Sequence, residues 1–473
     1  VHRPLRLLAD QAFARTAGAP LVEGNAVRLL KDGCENYPCW LDGIKAARQW
    51  IHFETYILHD DKIGRVFAEA LADAARRGVK VRLLVDWLGN MMKTSPKFWR
   101  LLRQAGVEAR SFGYPTIDSP LGWISRDHRK SLVVDGRIAF VSGLCVGDDW
   151  TDDGHEAQRD TGVMIQGPAV ADVEAAFAEA WKTAGAPVPL EELPVQHLIP
   201  PAGDVALRVI ATMPSTWGVF KLDQLVASIA RETLWVTDAY FVGVSAYVNA
   251  LIAASKDGVD VRLLVPGTVD VFGVGAMSRA GYRALLEGGV RIFEWNGVML
   301  HAKTAVADGR WARVGSTNAN ITSWFGNWEL DVAIEDAAFG QKMMAMFEQD
   351  LQNATEVVLK NRKMRPVVER RRGQRMEDWR THGRSTRRAA AAGAIRMGRT
   401  LGAVLTARRE VGAAEAYNLF WSSLIFLAIG AVALFWPKAI AYPFGVLGVW
   451  FAVVGLYRAA RLYYAHESDT RAT

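Results

Sequence analysis

Cysteine is scarce in this chain: three in 473 residues, at Cys34, Cys39 and Cys145. An odd, sparse set argues against a disulfide framework and favours a reducing compartment. Cys34 and Cys39 have no second cysteine or histidine pair nearby, which argues against a zinc site. The N-terminus lacks an apolar core of signal-peptide length, and it opens on Val1 rather than methionine, as a trimmed start would. Charge is missing from two long stretches near the C-terminus. Ala416 to Trp436 carries none, nor does Ala439 to Tyr457, and only Lys438 stands between the charge-free runs. Each is long enough to cross a bilayer core.

Those two runs read as a transmembrane helical hairpin over residues 416–464, followed by a tail at 465–473. Trp421, Trp436, Tyr442, Tyr457, Tyr463 and Tyr464 sit near the expected ends, where interfacial aromatics collect. Arg408 and Arg409 precede the first run, and Arg458 and Arg461 follow the second. The positive-inside rule then puts both chain ends, and everything upstream, on the cytoplasmic side of the membrane. The net charge of +6 is unevenly spread: Lys360 to Arg409 holds sixteen Lys or Arg against Glu369, Glu377 and Asp378. This basic segment, 356–415, is expected to lie on anionic headgroups, each cation contributing about 1 kcal/mol there. Nucleic acid would attract the same charge. Adjacency to the apolar runs favours lipid, so anionic phospholipids and membrane are the expected partners and no nucleic acid is expected. Homo-oligomerisation is left open.

What is present is a short constellation that occurs twice. One copy is His128-Arg-Lys130-Ser-Leu-Val-Val-Asp135, the other His301-Ala-Lys303-Thr-Ala-Val-Ala-Asp308. Both fit His-x-Lys-x-x-x-x-Asp. On an extended strand, residues two apart point to one face, so each copy offers a nucleophile or proton carrier beside a fixed positive charge. Both are followed by Gly-Arg, an apolar strand and a small-residue turn, ending in Ser142-Gly143-Leu-Cys145 or Gly315-Ser316-Thr-Asn318. Two such sets, brought together, would suit an anionic phosphorus centre.

The duplication extends upstream. Ala75-Arg-Arg-Gly78-Val-Lys-Val-Arg-Leu-Leu-Val85 recurs as Ser255-Lys-Asp-Gly258-Val-Asp-Val-Arg-Leu-Leu-Val265, each read as a helix end, a glycine cap and a buried strand. Further strands begin at Trp50 and Leu234. Each half therefore reads strand, helix, strand, helix, strand, then the His/Lys strand pair. Such alternation predicts an α/β fold: two pseudo-symmetric lobes, each a mixed sheet flanked by helices, over residues 1–195 and 196–355. Neither lobe holds a complete set of catalytic groups, so the site is expected at their junction.

The paired motifs resemble those of the phospholipase D superfamily, and residues 1–355 look like bacterial cardiolipin synthases. The supporting stretches are Phe53-Glu54-Thr-Tyr56-Ile57, Arg77-Gly78 through Asp86, Arg126-Asp-His128-Arg-Lys130, Asp160-Thr-Gly-Val, Gly167-Pro168, Gly315-Ser316-Thr-Asn318 and Asn327-Trp-Glu329. The sequence departs from that pattern where Cys145 stands in place of an asparagine, and in carrying its apolar runs at the C-terminal end.

The resemblance implies phosphatidyl transfer through a phosphohistidine: two phosphatidylglycerols give cardiolipin and glycerol, with phosphatidylethanolamine as a variant donor. By this analogy His128 is the nucleophile and His301 the general acid and base, an order that near-symmetry could reverse. Lys130, Lys303, Ser316 and Asn318 would hold the phosphate oxygens. Each imidazole needs a carboxylate to fix its tautomer. Glu329, downstream of His301, takes that role by resemblance; Asp160, downstream of His128, is its counterpart, with Glu156 a weaker choice. Asp135 and Asp308 complete the catalytic motifs and are expected to brace them. Trp123, Trp217, Trp324, Phe325 and Trp328 would line an apolar mouth that favours transfer over hydrolysis. Nothing resembles a metal cage, so neither metal nor cofactor is expected. The rival readings are a phospholipase D that hydrolyses or transphosphatidylates lipids, a nuclease on the same scaffold, and a catalytically inactive membrane-anchored binding module.

Overall fold

The structure is a computed structural model that describes residues 3–116, 122–151, 157–214, 216–270 and 274–359, and isolated positions between 424 and 453. The chain forms two compact units. The first comprises Val1–Tyr114 and Trp123–Lys363; the second, Pro115–Gly122 with Met364–Thr473, lies mostly outside the described residues. The hairpin expected over 416–464 belongs to that second unit, as does the basic segment from Met364 onward, whereas 356–363 belong to the first. Among the described residues no helix is long and apolar enough to cross a membrane.

After helix α1 (Arg3–Ala17), the first half runs β1 (Val22–Lys31), α2 (Asp32–Ala46), β2 (Trp50–Thr55), α3 (Lys62–Arg76), β3 (Lys80–Asp86), α4 (Pro96–Gln104), β4 (Glu108–Phe112), β5 (Ser131–Val134), β6 (Ile138–Ser142), β7 (Thr161–Gln166) and α5 (Val170–Thr183). The second half runs β8 (Val205–Thr212), α6 (Gly218–Ile229), β9 (Thr233–Thr237), α7 (Ser245–Lys256), β10 (Asp260–Pro266), α8 (Val274–Glu287), β11 (Arg291–Trp295), β12 (Thr304–Ala307), β13 (Trp311–Gly315), the short α9 (Ile321–Phe325), β14 (Glu329–Glu335), α10 (Ala337–Leu351) and an added β15 (Ala354–Val357). The repeat is longer than the sequence pattern suggests. Each half gains a leading strand and helix and a strand after the motif hairpin.

One fifteen-stranded sheet holds both halves, in the order β15-β11-β10-β9-β12-β13-β14-β8-β1-β7-β6-β5-β2-β3-β4. Read outward from the β1–β8 contact, the two arms name equivalent strands in the same order, as a pseudo-twofold axis requires. β2, β3 and β4 run parallel, as do β9, β10 and β11, while the motif strands pair antiparallel with β2 and β9. The axis contact is short, with Val22 opposite Leu207 and Asn25 opposite Val205 across a bulge.

Local chemistry explains the repeated joints. Gly78 and Gly258 adopt φ of 92° and 95° after their helices. In both, the glycine N–H returns to a carbonyl three residues back and the next N–H to one five back. This left-handed cap favours glycine because a Cβ would be strained there. β5 and β12 are buried at every position, since apolar layers cover both faces. Val133, Val141 and Ile165 of one half share a single buried cluster with Val306, Val314 and Leu330 of the other. The halves are therefore joined by core and not by a linker alone.

Candidate active site

His128 and Lys130 do not lie within a strand. They close the extended stretch leading into β5, and His301 and Lys303 do the same before β12. The strand ends thus deliver both pairs to the edge formed by the C-terminal ends of the parallel strands. Each pair faces one tyrosine. The Tyr56 ring meets His128 edge-on at 4.9 Å and lies 5.1 Å from the Lys130 ammonium; Tyr240 holds the same position at 6.0 Å from His301 and 5.9 Å from Lys303. The expectation that histidine and lysine share a face is met in both halves. Both ammonium groups also turn back onto the carbonyl of their own histidine.

The carboxylates pair across the lobes. Sequence order associates Asp160 with His128 and Glu329 with His301. In the structure His128 Nδ1 meets Glu329 Oε2 at 2.9 Å, and His301 Nδ1 meets Asp160 Oδ2 at 2.7 Å. Backbone pairing dictates the exchange. His128 N–H donates to the Trp328 carbonyl at 2.9 Å, and Trp328 N–H to the Arg126 carbonyl at 2.7 Å. Likewise His301 N–H donates to the Arg159 carbonyl at 2.7 Å, and Arg159 N–H to that of Met299 at 2.9 Å. Each motif is zipped to the residue just before the other lobe's carboxylate. Glu156 lies outside the described residues.

The two carboxylates are supported differently. Ser316 Oγ donates to Glu329 Oε2 at 2.6 Å, and Asn327 donates to Oε1 at 3.2 Å. The Ser316 hydroxyl, expected to bind phosphate, is thus committed to a carboxylate. Asp160 instead accepts from the Thr161 N–H at 2.8 Å and the Trp150 indole at 3.3 Å. Trp150 also sets its edge against His301 at 5.7 Å. Gly143, the counterpart of Ser316, leaves the space Asp160 needs: a Cβ there would stand 2.2 Å from Asp160 Oδ1. Asn318 is buried, and its amide oxygen has no hydrogen-bond partner among the described residues. Cys145 occupies the equivalent position in the first lobe, buried near both lysines.

Asp135 and Asp308 are braces. Asp135 accepts from the backbone N–H of Arg48, Gln49 and Trp50, and Asp308 from those of Arg231, Glu232 and Thr233. Both stand at the far end of their strands in the left-handed region, at φ of 52° and 51°.

Burial governs the protonation of this site. It pushes the His128 imidazole well below its ordinary value, helped by Lys130 and Lys303, and lowers His301 with the aid of Lys303. It raises the Glu329 carboxyl to about 7 against the pull of Lys130. Burial also works to raise Asp160, but His301 and Lys303 outweigh it and hold that carboxyl low. Lys303 is lowered by burial to about 8. Mutual influence among the histidines and lysines of both motifs marks a single site. A neutral His128 that directs Nδ1 at the Glu329 carboxyl keeps its Nε2 lone pair available, whereas the charged Asp160 beside His301 works against burial there and favours a protonated ring.

Tyr56, Tyr240, Trp150 and Asn327 were not singled out as site residues from sequence. The aromatics look like strand-end core there, and only repetition of Tyr56 and Tyr240 signalled more. Of the proposed mouth residues, Trp324 is buried in core, whereas Trp217 is exposed and set against Phe325 at 5.1 Å. Trp328 packs on Phe112 at 5.5 Å, with the Arg129 guanidinium 5.0 Å from its ring. The side chain of Trp123 lies outside the described residues. Among the described residues, no group of three or more His, Cys, Asp or Glu is arranged to hold a metal ion.

Residues 41–181 and 225–351 match the family described as "Cardiolipin synthase, PLD-like domain". The chain is 31% identical to the cardiolipin synthase of Alkalihalophilus pseudofirmus over 74% of its own length and 71% of that protein's. It is likewise 31% identical to cardiolipin synthase 2 of Bacillus anthracis, over 72% and 68% of the two chains. Among solved structures, the phosphatidylserine synthase of Haemophilus influenzae superposes with a TM-score of 0.57 at 13% identity, covering 73% of this chain and 91% of that one.

Proposed function

Since the chain belongs to the phospholipase D-like cardiolipin synthase family, we propose that it is a membrane phosphatidyltransferase that joins two phosphatidylglycerols into cardiolipin and releases glycerol. The observation that carries the chemistry is the crossed pair of buried histidine–carboxylate contacts beside two buried lysines. His128 Nε2 attacks phosphorus. The bond to the glycerol headgroup oxygen breaks, and that oxygen takes a proton from His301. His301, now neutral, removes a proton from a hydroxyl of the second phosphatidylglycerol. The alkoxide attacks phosphorus, the P–N bond breaks, and neutral His128 returns. Unequal partners support this division of labour. Asp160, held in its charged form, favours an imidazolium at His301, whereas His128 is driven further toward the free base. Lys130 and Lys303 balance the phosphate charge. The Asn318 amide, whose oxygen has no partner among the described residues, supplies a donor once it turns its nitrogen to the phosphate oxygens.

The apolar runs at 416–436 and 439–457 would anchor the enzyme in the cytoplasmic membrane of a bacterium, with the lobes and both chain ends on the cytoplasmic side. Helical positions there carry exposed Leu427, Leu434, Phe435 and Val449, as a lipid-facing surface would. The test is to supply purified full-length chain with phosphatidylglycerol in mixed micelles and read products by mass spectrometry. Cardiolipin and glycerol are expected. Phosphatidic acid alone would replace this reading with hydrolysis, and absence of lipid turnover would sink it.

A further inference from the structure

We infer that the turn after β3 and helix α4 form a lipid-contacting surface, by which the catalytic body itself docks on an anionic bilayer. The inference rests on the lipid-transfer reading and adds a site to it. Residues 87–107 contain Lys93, Lys97, Arg100 and Arg103 and no acidic residue. All four cations are exposed, and none forms an ion pair with a described residue. Elsewhere in the same lobe several arginines are paired, as Arg65 with Asp60, Arg82 with Glu192 and Arg110 with Glu108. Asp60, which accepts from the Ser95 N–H at 3.3 Å, is engaged by Arg65, so the four cations keep a net positive field complementary to anionic headgroups.

Apolar groups stand beside that charge. Met91 is 47% and Met92 95% exposed. Met92 sits at φ of 65°, a conformation that costs a non-glycine residue and here carries the side chain out of the turn. Leu101 projects from α4, 38% exposed. Between turn and helix lies a cavity of about 230 Å³ lined by Trp87, Asn90, Trp99, Arg103 and Arg110. A second of about 570 Å³ adjoins it and shares Trp99 and Arg103. Aromatic walls with a guanidinium at the rim suit the boundary between headgroup and acyl chain.

The turn is also fixed beside the reaction centre. Asn90 donates to the Tyr56 carbonyl at 2.8 Å and accepts from the Leu58 N–H at 2.8 Å. Asp86, at the end of β3, accepts from the Asp127 N–H at 2.9 Å, one residue before His128. On the second lobe, exposed Met277, Val298 and Ile321 occupy the equivalent edge. A bilayer met by α4 would therefore meet the edge of the sheet where the histidines stand.

Hydrogen exchange on the full-length chain in lipid nanodiscs tests this without reference to turnover. Residues 88–104 should exchange more slowly in discs of phosphatidylglycerol than in discs of phosphatidylcholine; equal exchange overturns the inference. A Lys97→Glu, Arg100→Glu, Arg103→Glu variant should lose about tenfold or more of its cardiolipin formation on phosphatidylglycerol bilayers. It should stay within about twofold of wild type on short-chain phosphatidylglycerol below its micellar concentration, which also reports that it folds. Met91→Ser, Met92→Ser, which disturbs no core, should show the same split. Wild-type rates on bilayers for both variants would overturn the docking surface. If wild-type protein makes no cardiolipin yet residues 88–104 are still protected by anionic discs, docking stands and the transfer reading fails.

Discussion

Glu329 is a fully buried carboxyl held near neutrality by its surroundings, and that makes it both useful and costly. Its folded value is about 7 against an ordinary 4.5, so its ionised form costs roughly 3 kcal/mol of stability. The folded state holds the proton more tightly than the unfolded one. Stability from this group is therefore present below 4.5 and lost as pH rises toward about 7. Glu329→Gln should remove that cost. The variant is expected to melt higher than wild type at pH 8, the gap narrowing as pH falls from 7 to 4.5, measured by calorimetry. Turnover should nevertheless fall by at least about a thousandfold, because an amide donor facing His128 Nδ1 forces the proton onto Nε2 and removes the nucleophile. Equal pH dependence of melting in the two proteins would show that Glu329 is not the carboxyl in question. The asymmetric support of the two carboxylates gives a second test. Gly143→Ser copies Ser316 into the first lobe, but its Cβ would stand 2.2 Å from Asp160 Oδ1. Asp160 must then leave His301, and turnover should drop at least about a hundredfold. A variant with wild-type turnover would contradict the role given to Asp160.

The motif strand works as an element because its two ends have different tasks. One end presents histidine and lysine; the other is fixed by an aspartate that accepts three backbone N–H bonds. Charge-assisted bonds of this kind contribute about 1.5–3 kcal/mol each when intact, with strong mutual dependence. Asp135→Ala should lower stability by about 2–4 kcal/mol in denaturant titration. Asp135→Asn should recover about half of that, since asparagine both accepts hydrogen bonds and tolerates the left-handed backbone. Turnover per folded molecule should stay near wild type in both; a loss matching His128→Ala would instead place Asp135 in the chemistry. The same scale shows what the sequence made readable. His128, Lys130, His301 and Lys303 were legible because a short pattern repeats with its context, and the glycine-capped helix ends because Gly78 and Gly258 repeat too. The partners of Asp160 and Glu329 were not, since His128 and Glu329 are 201 residues apart and meet only through the bridge at Trp328. Nor were β1 and β8: Val22–Lys31 includes Glu23, Asn25 and Arg28, and alternation is too irregular there to signal a strand at the centre of the sheet.

At the scale of the whole molecule, the crossed contacts change what a lobe is. Each lobe carries one histidine and the carboxylate for the other, so neither can set the tautomer of its own imidazole. The halves share a buried core and one sheet, and both motifs fall in one compact unit of a single chain. A site built this way is closed within the chain. The alternative is that equivalent halves of two chains exchange, a low-cost route open to any repeat protein. Coexpression separates them. Chains carrying His128→Ala and chains carrying His301→Ala are each expected to be inactive. If the site closes within one chain, their mixture should be as inactive as either alone, however the chains associate. If lobes exchange, a fraction of dimers would unite the intact first lobe of one chain with the intact second lobe of the other, and about a quarter to a half of wild-type cardiolipin formation would return. The shared core raises the barrier to exchange, because parting the lobes of a folded chain would uncover Val141, Ile165, Val314 and Leu330 together, at about 25 cal/mol for each Å² of apolar surface uncovered, so a chain that closes on itself during folding stays closed.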